Sequence, residues 1–306
     1  MKKVLVLHYS QTGQLKRFME SVVGPLDSSA EVDVVYQNLK PKDDYPFPWP
    51  ILHFFSIFPE CVAMIPPEMA PLDIDEDQDF DLVILAYQVW FLSPSLPVTG
   101  FLKSEAAQKL LKDKPVITLI GCRNMWLMAQ EKVKAELRRL NAHLVDCAVL
   151  IDQCSSASSF LSTPLWMFTG KQQALSWIPK AGIDPAEIEN AKRFGHAIVA
   201  RLRDKNSGVI DKPMLSGLGA VKINDKLISS EKIAHRSFTI WGKLMRLIGP
   251  QQSIRRRVGL IFYIVFLITI ILTVVPITAL LRTIIAPLTK TKIQAEKAYY
   301  AAPSGE

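Results

Sequence analysis

Apolar residues along this chain gather into five short runs, separated by stretches in which they recur every three or four positions. Residues 4–7, 31–36, 80–87, 115–121 and 143–151 read as strands. Near-continuous Val, Ile and Leu in most of these runs suits strands buried on both faces of a parallel sheet. After the first run, Leu15, Phe18, Met19, Val22 and Val23 fall on one face of a helix. Further helices are predicted over residues 96–111, with Ser95 as cap ahead of Pro97, over 128–140, and over 185–203, where Asp184 and Glu187 form a capping-box pattern. Strands alternating with helices predict an α/β fold, a doubly wound five-stranded parallel sheet occupying residues 1–203.

Two segments break the alternation. Residues 41–76 interleave prolines with Tyr45, Phe47, Trp49, Phe54, Phe55 and Phe58, and residues 155–180 carry Phe160, Trp166, Phe168 and Trp177. So many prolines exclude a long helix or interior strand in the first, and the aromatic content argues against disorder. Both read as apolar insertions that follow strand ends and overhang one cleft. Residues 204–257 read as a linker with an amphipathic piece around 238–248. Residues 258–281 are almost wholly apolar, long enough to cross a hydrocarbon core of about 30 Å as a C-terminal transmembrane helix, with Pro276 tolerated inside it. Residues 282–306 form a polar tail.

The formal net charge of +7 and the 49% hydrophobic content change this picture little. Lys and Arg do not form one stripe and no nucleic-acid motif occurs, so no nucleic-acid partner is expected. Arg255, Arg256 and Arg257 precede the apolar run as a membrane flank does, and the weak charge asymmetry across it leans toward a cytoplasmic domain on a single-pass anchor. Met1, Lys2 and Lys3 before only four apolar residues are too short for a signal peptide. Cys61, Cys122, Cys147 and Cys154 lack metal or redox spacing and read as reduced core thiols; no metal site is expected.

The candidate chemistry lies where strands end. Ser10, Gln11, Thr12, Gly13 and Gln14 join the first strand to a helix N-terminus, where unpaired N–H groups and the helix dipole favour an anion and Gly13 allows close approach. Neither GxGxxG nor a P-loop is present. In an open parallel sheet, ligands sit outside the carboxyl ends of the strands. Tyr87, Gln88, Val89, Trp90 and Phe91 after the third run, and Gly121, Cys122, Arg123 and Asn124 after the fourth, belong to the same edge. Aromatic residues there suit stacking on a planar ring, and Arg123 suits stabilising negative charge. His8 reads as structural, and no catalytic acid, base or nucleophile is legible.

The loop Ser10-Gln11-Thr12-Gly13-Gln14 resembles the flavodoxin-like family, in which a Ser/Thr-x-Thr-Gly-x loop wraps the monophosphate of FMN. That resemblance implies FMN as cofactor, with residues 87–91 and 121–124 beside the isoalloxazine. Residues 4–14, the run Tyr45-Pro46-Phe47-Pro48-Trp49-Pro50 with Phe54, Phe55 and Phe58, and residues 121–126 are similar to dialkylresorcinol-condensing enzymes. There the flavodoxin-like member is taken to be an aromatase that oxidises a dialkyl cyclohexanedione to a dialkylresorcinol, beside a ketosynthase-type partner. The expectation is a membrane-tethered FMN oxidoreductase acting on a lipophilic ring substrate. The alternatives are an NAD(P)H-quinone reductase, an electron-transfer flavodoxin, or a flavin-free interaction module.

Overall fold

In a computed structural model, the chain is described for residues 1–155, 158–204 and 210–305, with side chains at 275 and 278–289 excepted. Residues 156–157 of the second insertion and 205–209 of the expected linker lie outside the described residues.

The chain forms β1 (Lys2–His8), α1 (Gln14–Asp27), β2 (Val32–Asn38), α2 (Ile51–Ser56), α3 (Phe58–Ala63), β3 (Leu82–Trp90), β4 (Ser93–Pro94), α4 (Leu96–Leu102), α5 (Glu105–Leu111), β5 (Pro115–Cys122), α6 (Leu127–Arg139) and β6 (His143–Ile151). It continues through α7 (Ser159–Thr169), α8 (Pro185–Asn190), α9 (Lys192–Arg203), α10 (Asp225–Ile248) and α11 (Ile254–Ala301). The sheet runs β2-β1-β3-β5-β6 with every neighbour parallel, the flavodoxin-like order of a doubly wound sheet. Alternation along the strands explains why both faces are covered: Leu5, Leu7, Val83 and Leu85 enter one core, Val4, Val6, Leu82 and Ile84 the other. On the second face α1 and α9 cross closely, because a Cβ on Gly195 would lie 2.0 Å from the Val22 carbonyl oxygen.

The sheet has six strands, one more than the pattern predicts. The extra strand is β4, two residues antiparallel to the end of β3. Phe91 (φ 50°) and Leu92 (φ 57°) reverse the chain in left-handed conformations, so that Trp90 pairs with Ser93 and Val89 with Pro94. A strand this short carries no periodicity. The expected helix over 96–111 is divided into α4 and α5, the second capped by Ser104, whose Oγ accepts from the Ala107 N–H at 3.1 Å. Ser95 stands at the N-cap of α4 without a capping bond. The helix expected over 185–203 is likewise divided into α8 and α9, and Asp184 caps the first.

Beyond residue 203 the structure departs further from the pattern. Residues 210–223 lie along β6: the Asp146 carboxylate accepts from the N–H groups of Met214 (2.6 Å) and Leu215 (3.3 Å), and Val149 donates to Ala220. The edge strand needs such a cover, which irregularly spaced residues supply without any period. α10 is a full 24-residue helix whose Gly242 rests on Pro59 and Val62 of α3. Arg256, expected as a membrane flank, is 1% exposed; it donates to the Ser56 carbonyl at 3.0 Å and pairs with Glu60. The expected tail packs into the fold: Ser304 Oγ accepts from the Cys147 N–H (2.6 Å) and donates to Asp146 (2.5 Å), while Tyr300 is buried in the first core.

Candidate cofactor site

The β1 loop holds Gly13 at φ 77°, and a Cβ built there would meet nothing within 4 Å. Space therefore lies directly in front of the α1 N-terminus, where the N–H groups of the first turn have no intrahelical acceptor. Ser10 Oγ accepts from the Lys16 N–H at 3.2 Å and shapes the turn. Ser10, Thr12 and Gly13 are half-buried and border this space.

Gln11 and Gln14 do something else. Gln11 donates to the Pro46 carbonyl at 2.8 Å and accepts from the Trp49 indole N–H at 2.9 Å, fastening the first insertion to the loop. Gln14 is buried, accepts from the Ile183 N–H at 3.3 Å, and packs so tightly on Gly182 that a Cβ there would come within 2.3 Å of its amide. It thereby fastens the exit of the second insertion.

The two insertions meet over the carboxyl edge. Trp49 N–H donates to the Met167 carbonyl at 2.8 Å, and Phe47 and Phe54 lie 6.0 and 5.9 Å from the rings of Trp166 and Phe168. They form one roof, as two apolar segments following strand ends would. Its outer surface leaves Ile51, Leu52, Leu161 and Trp177 exposed.

Of the β3-loop candidates, Tyr87 is fully buried in the core and donates to Gln130 at 2.6 Å, so it is not brought to the edge. Gln88 Oε1 is buried and has no hydrogen-bond partner among the described residues. Val89 packs on the first core, and Phe91 on Phe54 at 4.6 Å. Trp90 is boxed edge-to-face by Tyr9, Tyr45 and Trp49 at 5.1–5.9 Å. At the β5 loop, Gly121 leaves room for Leu15, and burial pushes the Cys122 thiol well up, away from thiolate chemistry. Arg123 donates to Ser159 at 2.9 Å and stacks on Phe160 at 4.3 Å; burial lowers its pKa, opposed by the nearby Asp152 carboxylate. It is a tie to the roof. Asn124 lines a cavity of about 330 Å³ with Trp126, Asp152, Lys222 and Glu231.

Two carboxylates here escape the sequence reading. Asp152 accepts from the N–H groups of Gly182 (2.8 Å) and Cys154 (2.7 Å), and its own N–H donates to the Cys122 and Arg123 carbonyls. Its place one residue beyond the fifth predicted strand was a usable signal. Glu231 comes from α10 and accepts from the Met128 N–H at 2.8 Å, capping α6 and holding the β5 loop. Nothing in its sequence context announces this.

Burial is the largest influence on Glu231 and pushes its pKa up to about 7, against the hydrogen bonds that lower it. A carboxyl raised in the folded state binds a proton there that the unfolded chain has released. Stability from this group therefore rises as pH falls through about 7 and levels off below about 4.5. The span corresponds to about 3 kcal/mol. Denaturant midpoints compared between the parent and Glu231→Gln from pH 8 to 5 should show the parent gaining relative to the variant. Parallel curves would assign the pH dependence elsewhere.

The described residues hold no group of three His, Cys, Asp or Glu side chains suited to a metal. No protein-family model matches the chain, and no curated protein does. Solved structures do. A flavoprotein in complex with FMN from Lactobacillus acidophilus is 16% identical, over 49% of this chain and 93% of its own, with a TM-score of 0.40. A flavodoxin from the domain Archaea is 12% identical, over 66% and 99%, with a TM-score of 0.38. Oxidised flavodoxin 1 from Bacillus cereus is 10% identical, over 65% and 98%, also at 0.38.

Proposed function

We propose that the protein is an FMN-dependent oxidoreductase that works at a membrane surface on a lipophilic ring substrate. The observation that carries this reading is the joined apolar roof over the carboxyl edge of a flavodoxin-like sheet, fastened to the phosphate-type loop by Gln11 and Gln14. An FMN phosphate suits the residues present: Ser10, Thr12 and the first-turn N–H groups would hold it in the open space before Gly13. The unpartnered Gln88 Oε1 would accept from a ring N–H. Entry of the ring beside Trp90 requires Tyr45 or Trp49 to move, since both pack against that indole.

Bound there, FMN would supply a two-electron acceptor. The chain's own contribution is to hold the substrate, exclude water beneath the roof, and keep the site next to lipid. The roof adjoins the anchor directly, because Ser56 of α2 and Glu60 of α3 both bind Arg256 of α11. The outer face of α10 adds exposed Ile240, Leu244 and Leu247. α11 is the one helix among the described residues long and apolar enough to cross a membrane. An alkyl-bearing molecule partitioned in the bilayer would meet an apolar lining with few polar groups.

In its finer form the reading is oxidative aromatisation: a dialkyl cyclohexanedione loses two hydrogens to become a dialkylresorcinol, after a ketosynthase-type enzyme has made the dione. The resemblance of residues 4–14, 45–60 and 121–126 supports it. A pure electron carrier would need no such roof. Replacing Phe54, Phe55 and Trp166 with Ser should raise KM for long-chain diones far more than for short ones, since each buried aromatic contributes about 1.5–3 kcal/mol to an alkyl contact. Equal effects at both chain lengths would leave the insertions as packing. If diones fail to bleach the bound flavin while a reduced protein partner or pyridine nucleotide changes its redox state, the carrier or quinone-reductase reading takes over.

A further inference from the structure

We propose that the apolar stretch of α11 does not cross the bilayer but dips into it and returns, so that both flanks lie on the face that carries the domain. The inference rests on the membrane attachment proposed above and concerns its geometry.

Both ends of α11 dock on the same short length of α10. Near its start, the Tyr263 ring lies 5.1 Å from Trp241 and stacks on Phe58 at 4.8 Å. Near its end, Glu296 pairs with Lys232 at 2.8 Å and Tyr299 hydrogen-bonds Glu131. Trp241 and Lys232 are about 14 Å apart along α10, whereas a straight helix would separate Tyr263 from Glu296 by about 50 Å. Extended side chains at both contacts do not close that difference, nor does the gentle curvature of long helices. α11, although helical throughout, must therefore bend back on itself between Leu267, the last residue packed on the third core, and Ile293, the first packed again on the main one.

The docked tail says the same. Ser304 bonds Asp146 and Cys147 in β6, and Gly305 bridges to Val221. A tail on the far side of a membrane could reach neither.

The occupant of the loop is lipid. The stretch Ile254–Val274 has a mean hydropathy of 2.5 and is 11% buried, with Phe262, Val265, Ile268 and Leu272 exposed in it and Ile277 just beyond it. Exposed Arg255 and Arg257 flank one end, and Lys290, Lys292 and Lys297 the other. Positive charge on both sides places both flanks on one face of the membrane. Each leg, from its last protein contact to the turn, is about 20 Å long, short of the roughly 30 Å core.

The test uses the full chain with Thr291→Cys, an exposed position in the second basic flank, in membrane vesicles whose outer face carries the domain. After an alkaline carbonate wash, an impermeant maleimide should label this cysteine above the parent background at the same rate in intact and detergent-opened vesicles. Carbodiimide should also join Lys232 to Glu296 in the parent. Labelling only after opening, with no such cross-link, would establish a single crossing and overturn the inference while leaving membrane attachment intact. Recovery of the chain in the wash would remove both.

Discussion

Thr12→Val combined with Gly13→Val is expected to strip the protein of flavin. Gly13 sits at φ 77°, where a β-branched residue is strained by about 1–3 kcal/mol. Its new side chain would also project into the space that a phosphate would fill, since nothing now lies within 4 Å of that position. Loss of the Thr12 hydroxyl removes a hydrogen bond to a charged group, worth about 1.5–3 kcal/mol. Together these weaken binding by roughly two to three orders of magnitude, enough to lose flavin on purification. Flavin absorbance per mole of folded protein measures it, with circular dichroism confirming the fold. Full occupancy in the double variant would put the cofactor elsewhere.

Removing residues 250–306 is expected to destroy the fold rather than release a soluble domain, whereas replacing only residues 268–292 should leave it folded. The larger cut takes Leu260 and Tyr263 from one core and Tyr300 and Ala301 from another. It strips Glu60 of Arg256 and leaves Asp146, fully buried, without Ser304. Breaking a buried ion pair alone costs about 3–5 kcal/mol against a typical total of 5–15. A Gly/Ser linker of about 10 residues, with a root-mean-square reach near 17 Å, would rejoin the flanks. Melting temperature and solubility of the two proteins decide. A truncated protein as stable as the parent would show that the C-terminal flanks contribute nothing to the fold.

That contrast locates what was legible in the sequence. The five parallel strands and the helices that alternate with them carry their own periodicity, because each is amphipathic or doubly buried in a way that residue spacing records, whereas α2, α3 and α7 inside the two insertions do not. The loop from Ser10 to Gln14 was readable for the same reason, being fixed by the strand before it and the helix after it. The roles within it were not: Gln11 and Gln14 look like neighbours of Thr12, yet their partners are Pro46, Trp49 and Ile183, chosen by tertiary placement. Tyr87 and Arg123, read as residues beside the cofactor, likewise take partners that residue spacing does not record. One points to Gln130 in the core and the other to Ser159 in the roof. The C-terminal third was the least legible. A hydropathy window sees an apolar run but not that Arg256 and Ser304, on either side of it, are both buried in the domain.

Gln11 reaches from the cradle to one half of the roof and Gln14 to the other, so the loop suited to grip a phosphate is also the latch of the cover. Ordering residues 10–14 by any bound anion then tightens both latches, and lifting the cover loosens the grip by the same factor, as reciprocity between coupled sites requires. On the function proposed above, cofactor retention and access from the lipid side are thus two readings of a single equilibrium.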